Sequence, residues 1–123
     1  MTVPDVVIDF FRQMKQEPWF DGIPVHAFAV DSMGNNMLDY AITNGNSEAV
    51  KYLLEMGVDV NGAGEFGNTP LMTATSFGKY DLACYLLSAG GDGNKRNDDG
   101  LSAFDMLKMN IFRKHDDAKT GLH

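Results

Sequence analysis

The chain has one cysteine, four prolines, one tryptophan, and only 10 lysines and arginines against 17 acidic residues. A lone cysteine, Cys84, has no partner for an internal disulfide, so packing has to hold the fold. Nothing near it in sequence supplies a base or positive charge to lower its pKa, and it reads as an inert side chain on a helix. The scarcity of basic residues leaves a net charge of −7. That argues against nucleic acid as a ligand, because phosphate recognition needs a clustered basic surface. No apolar run approaches the roughly 20 residues of a membrane span, and Asp5 and Asp9 stand where a secretory leader would be basic. A cytoplasmic address with no membrane association is the expectation. Hydrophobic residues make up 44%, too many for a disordered chain, and 123 residues suit one core or one short array, with no room for a second domain.

Catalytic signatures are also missing. No G-x-S-x-G elbow, phosphate loop or paired-cysteine metal spacing occurs. His115, Asp116, Asp117 and His123 would ligate a metal only if a polar tail were held in fixed geometry. The expectation is a protein without cofactor or catalysis, and a metal-dependent enzyme using this tail is the distant alternative. His26 stands in an apolar stretch and reads as a packed or hydrogen-bonded residue.

What the chain does have is a period. Gly34-Asn35, Gly67-Asn68 and Gly100-Leu101 are spaced by 33 residues, since 67 − 34 and 100 − 67 agree. The same offset pairs Leu38 with Leu71, Ala41 with Ala74, Gly45 with Gly78, Tyr52-Leu53-Leu54 with Tyr85-Leu86-Leu87, Gly57 with Gly90, Asp59 with Asp92 and Asn61 with Asn94. Self-similarity of about 33 residues marks an array in which each unit buries its apolar face against a neighbour.

One unit can be read residue by residue. Asn36, Thr69 and Ser102 each precede an apolar run and carry a side-chain oxygen able to accept from the free N–H groups of a helix's first turn. Asp39 and Asp105, three residues later, place a carboxylate at the positive helix end, where it can reach back to the cap. Pro70 suits a first helical position, where its missing N–H has no partner to lose. Gly45 and Gly78 end this short helix in the left-handed conformation. A second helix follows at Ser47 to Met56 and at Tyr80 to Ala89, with buried stripes at Val50, Leu53, Leu54 and at Leu82, Tyr85, Leu86. Gly57 and Gly90 stop it. Segments 58–66 and 91–99 are rich in Gly, Asn and Asp and read as extended fingers with a turn at the tip.

The run Asn68-Thr69-Pro70-Leu71-Met72-Thr73-Ala74 to Gly78, then Tyr85-Leu86-Leu87-Ser88-Ala89-Gly90-Gly91-Asp92-Gly93-Asn94, resembles the ankyrin repeat, G-x-T-P-L-H-x-A-x-x-x-G and L-L-x-x-G-A-D-x-N. The first unit, through Leu53-Leu54-Glu55-Met56-Gly57-Val58-Asp59-Val60-Asn61, matches the second half of that pattern better than the first. Where the family carries the His of T-P-L-H this chain has Asp39, Met72 and Asp105, so the hydrogen bonds of that His do not carry over. The resemblance spans 31–111 and implies an all-α solenoid of helix-turn-helix units with β-turn fingers, arranged as repeats 31–63, 64–96 and a partial one at 97–115. Residues 1–30 read as an N-terminal helical cap, with Val6, Val7, Phe10, Phe11 and Met14 on its apolar face and a break at Pro18 before Trp19-Phe20. Ile111 stands where the third glycine belongs, so that repeat is truncated, and 116–123 is a polar tail. Gly91 and Gly93, where the first unit has Val58 and Val60, read as a loose joint between the second and third units.

In the family, contacts lie on the concave face, at the finger tips and the exposed side of the first helices. Position by position, this gives Ser32, Met33 and Asn35 with Thr43 and Asn44 in the first unit. The second gives Glu65, Phe66 and Asn68 with Ser76 and Phe77, and the third gives Asp98, Asp99 and Leu101 with Met109 and Asn110. Phe66 and Phe77 lie off the buried stripe. They are either interface anchors, or packed residues, Phe66 folded over the next finger and Phe77 against the cap or next helix. The resemblance implies a protein-binding module. Its most specific form is an inhibitor or toxin-neutralising immunity protein, of the sort seen among bacterial ankyrin proteins, and the alternative is an adaptor joining two proteins. The acidity is compatible with a basic partner and favours a monomer, although it also serves solubility alone.

Overall fold

The computed structural model describes residues 3–23 and 25–110. Among the described residues six α-helices carry the fold: α1 Asp5–Met14, α2 Met37–Thr43, α3 Ser47–Glu55, α4 Pro70–Ser76, α5 Tyr80–Ser88 and α6 over 103–110. Short 3-10 turns occupy Pro18–Phe20 and Glu65–Gly67. Among the described residues there is no strand, only isolated bridges pairing Val30 with Asn36 and Arg96 with Ser102 at the bases of two fingers. The architecture is the helical repeat solenoid that the 33-residue period implies.

The first helix of each unit starts where its sequence asks. The Asn36 side chain accepts from the Asp39 N–H at 3.0 Å, and Asp39 Oδ2 accepts from the Asn36 N–H at 3.1 Å. Ser102 and Asp105 repeat this reciprocal pair at 3.1 and 3.0 Å. Thr69 caps α4, with Met72 Sδ taking the place of the carboxylate oxygen. Three side chains that depart from the family's histidine therefore perform the same local task, closing the N-cap amide. Gly45 and Gly78, both at φ 69°, turn the chain out of α2 and α4 and into α3 and α5.

Stacking supplies the core. α2 packs on α3, α4 on α5, and α2 on α4 across the repeat boundary, while α1 covers α3. Leu38, Ile42, Val50, Leu53, Leu71, Leu82 and Leu86 fill the interior, with Phe10, Met14 and Phe20 closing its N-terminal end. Full burial of one such leucine contributes about 1.5 to 3 kcal/mol. Beside the expected stripe, Ala49 and Ala83 are also buried. α6 lies against α4, where Ser76 Oγ meets Met106 Sδ at 3.5 Å and Asn110 Nδ2 donates to the Thr75 carbonyl at 3.2 Å.

Two expectations need correction. Val6 is 43% exposed, because α1 turns Val7, Phe10 and Met14 inward. His26 is exposed and is hydrogen-bonded rather than packed, as one of its two readings had it: its Nδ1 accepts from the Phe28 N–H. Gly91 and Gly93 are not slack. A Cβ at Gly93 would lie 2.3 Å from Phe104 Cζ, and one at Gly91 would lie 2.8 Å from the Leu86 carbonyl oxygen. Close approach therefore favours glycine at both positions, most strictly at Gly91, where the neighbour is backbone. Ile111 and the histidine-bearing tail of 115–123 lie outside the described residues.

Candidate functional site

The residues expected for binding lie at the finger tips, on α2 and α4 and on α6. Ser32, Met33, Thr43, Asn44, Ser76, Phe77, Asp98, Asp99 and Met109 are exposed. Phe66 is 65% exposed and Phe77 59%, so neither folds away into the array. Phe66 is the sole non-glycine residue with positive φ among the described residues, at φ 59° and ψ 20°. An aromatic side chain there strains the backbone, and such strain collects at binding positions.

Other residues expected for binding are engaged with the next repeat. Asn35 Nδ2 donates to Glu65 Oε2 at 3.2 Å, and Asn35 Oδ1 accepts from the Glu65 N–H at 3.3 Å. Asn97 Nδ2 donates to Asn68 Oδ1 at 2.9 Å, and the Asp98 N–H donates to the Phe66 carbonyl at 3.0 Å. These bonds join each finger to its successor and fix the spacing of the tips. Leu101 and Asn110 are half-buried.

Between the first two fingers lies a cleft of about 260 Å³, bordered by Asn35, Asp39, Tyr40, Glu65, Phe66 and Phe77 among others. A second, of about 190 Å³, adjoins it through Asn35, Tyr40 and Glu65 and adds Trp19, Asp31 and Met33. Trp19, Asp31, Asp39 and Tyr40 were not assigned to this face from the sequence. The signal that could have found the site is Asp39, a carboxylate at the family's histidine position. Asp31 orders the first finger, its Oδ1 accepting from the Met33 and Asn35 N–H groups and its Oδ2 from the Tyr40 hydroxyl. Burial, assisted by that bond, raises the Tyr40 hydroxyl above its ordinary pKa. Asp39 is 6% exposed, and its Oδ1 has no hydrogen-bond partner. Burial pushes its carboxyl up to about 6, the Asn36 amide pulls against that, and nearby Asp31 adds to the rise.

Elsewhere, Tyr80, Ala83, Cys84, Leu87, Phe104 and Leu107 border an apolar groove of about 250 Å³ between α5 and α6. Among the described residues no cluster of His, Cys, Asp and Glu is suited to a metal ion, and no helix is long and apolar enough to cross a membrane.

Residues 19–97 match the family described as Ankyrin repeats (3 copies). Protein phosphatase 1 regulatory subunit 27 of Mus musculus is 43% identical over 103 residues, covering 81% of this chain and 67% of that protein. The Homo sapiens protein of the same name is 43% identical over 70 residues, 57% of this chain and 46% of the relative. BTB/POZ domain and ankyrin repeat-containing protein NOOT1 of Medicago truncatula is 42% identical over 73 residues, only 15% of its own length. These relatives are eukaryotic, so the bacterial association drawn from the resemblance gains no support. The matched span, the 33-residue period and the stacked helix pairs together place this chain in the ankyrin-repeat family.

Proposed function

We propose that this chain is a non-catalytic module that binds a partner protein across its finger tips and the outer faces of α2 and α4, and acts by covering that partner. The observation that carries the reading is the pairing of Phe66 and Phe77, both exposed and both bordering one cleft. Exposed aromatics beside a concave polar surface are the usual anchors of an interface. Asp98 and Asp99 form an acidic rim, and the net charge of −7 would steer a basic surface toward it. Inhibition by occlusion is the form we favour, with neutralisation of a toxin as its most specific version. The names of the mouse and human relatives make the catalytic subunit of protein phosphatase 1 the first partner to test. Monomeric state and cytoplasmic location belong to the same proposal.

The test is surface-plasmon binding of that catalytic subunit to the immobilised full chain and to Phe77→Ala and Asp98→Lys/Asp99→Lys variants. Loss of a central anchor should speed dissociation by about 30-fold, whereas the rim change should slow association mainly at low salt. Absence of binding by the parent chain would remove this partner. Binding with unchanged kinetics in both folded variants would remove the face. An adaptor role is the second reading, favoured by the apolar groove between α5 and α6, which offers a separate surface.

A further inference from the structure

Three carboxylates, Asp31, Asp39 and Glu65, converge on the two adjoining clefts, and neither cleft is bordered by a lysine or arginine. The ion pairs among the described residues lie elsewhere, at Arg12 with Asp9 and Arg96 with Asp105. Asp31 is satisfied by two backbone amides and the Tyr40 hydroxyl. Asp39 is not. One oxygen closes the α2 cap, and the other is buried with no donor. Buried acceptors are normally paired, so the fold keeps an oxygen that a bound donor would complete. Glu65, facing it from the second finger, has one oxygen held by Asn35. Aromatic side chains stand among the polar lining, Phe66, Phe77 and Tyr40 in the larger cleft and Trp19 and Tyr40 in the smaller.

Resting on the docking face above, we propose that this cleft receives a single arginine side chain of the partner protein. A guanidinium offers five donors in a rigid plane, enough to meet Asp39 and Glu65 together while stacking on a flanking ring. Lysine supplies a point charge and no plane to stack. A divalent cation would want several oxygens converging on one point, and among the described residues no group of three or more His, Cys, Asp or Glu is placed to hold one. A volume of about 260 Å³ lies below the usual range for a drug-sized ligand and suits one long side chain. The groups facing Asp39 are Asp31, Glu65 and Tyr40, with Glu17 near Tyr40, and none is cationic. Burial, the largest cause, together with Asp31 raises the Asp39 carboxyl, and an arriving cation would lower it again.

The experiment is a titration of the folded full chain with the blocked tripeptide acetyl-Gly-Arg-Gly-amide, followed by amide and carboxyl NMR. Peptides with citrulline or lysine in place of arginine, and free L-arginine, serve as comparison arms. Saturable shifts should centre on Asn35, Asp39, Tyr40, Glu65, Phe66 and Phe77, with arginine about tenfold tighter than citrulline. The Asp39 carboxyl pKa should fall when the peptide is bound, and affinity should weaken below about pH 6. Asp39→Asn and Glu65→Gln should each weaken the arginine peptide, and Glu65→Gln serves where Asp39→Asn disturbs folding. Equal affinity for citrulline, shifts centred elsewhere, or no saturation would overturn the proposal. Tighter binding of free L-arginine than of the blocked peptide would overturn the assignment to a partner protein. Because no partner enters the titration, its failure leaves the docking face to be judged by the Phe77→Ala and Asp98→Lys/Asp99→Lys variants.

Discussion

Asn35 and Glu65 hold each other across two fingers, the Asn35 amide donating to the Glu65 carboxylate while its carbonyl accepts from the Glu65 backbone. The two residues are 30 positions apart, close to one repeat, so one side chain sets the spacing between successive tips. Asn61 does similar work lower in the array, bonding the Gly90 carbonyl and the Asp92 amide.

Asn35→Ala should therefore destabilise the array by about 1 to 3 kcal/mol, since it strips both partners from a half-buried Glu65. Urea unfolding measures this directly. A loss below about 0.5 kcal/mol would mean that solvent replaces both bonds and that the fingers are positioned by helix packing alone.

Gly93→Ala tests the close approach of Phe104 to the third finger. The added methyl would overlap the ring, and an overpacked site costs about 1 to 3 kcal/mol. Combining it with Phe104→Leu should recover part of the loss, because the two changes act on one contact. Strict additivity in the double variant would disprove the contact.

Asp39 gives stability a specific pH dependence. Its folded value of about 6 lies above the ordinary 3.8, so the folded chain holds this proton more tightly than the unfolded chain. Stability contributed by this group should rise as pH falls from about 6 to about 4, by on the order of 2 kcal/mol. Asp105 acts with opposite sign: hydrogen bonds from Ser102 hold its carboxyl below the ordinary range, and its contribution is lost only at lower pH. Unfolding free energies at several pH values, in the parent chain and in Asp39→Asn, separate the two. The variant should lose the rise between pH 6 and 4.

Phe66→Asn should stabilise the free protein by about 0.5 to 1 kcal/mol while weakening partner binding, because Asn enters the left-handed region at lower cost. Thermal and urea unfolding give the first half of the comparison and binding gives the second. Lower stability in the variant would indicate that the ring packs within the free protein, against an anchoring role.

The sequence alone determined the period, the helix starts at Asn36, Thr69 and Ser102, and the leucines at 53 and 86, because capping chemistry and helical spacing are local and recur with the repeat. It also indicated that Phe66 and Phe77 stand off the buried stripe. Tertiary structure decided the rest. Val6 and Val7 are alike in sequence, and only the position of α3 selects Val7 for burial. Gly93 reads as freedom until the Phe104 ring is placed against it. Asp39 and Glu65 lie in different repeats, and their sharing one cleft depends on how the fingers stack. Contacts between repeats are set by the rotation and spacing of one unit on the next, which no single 33-residue segment contains.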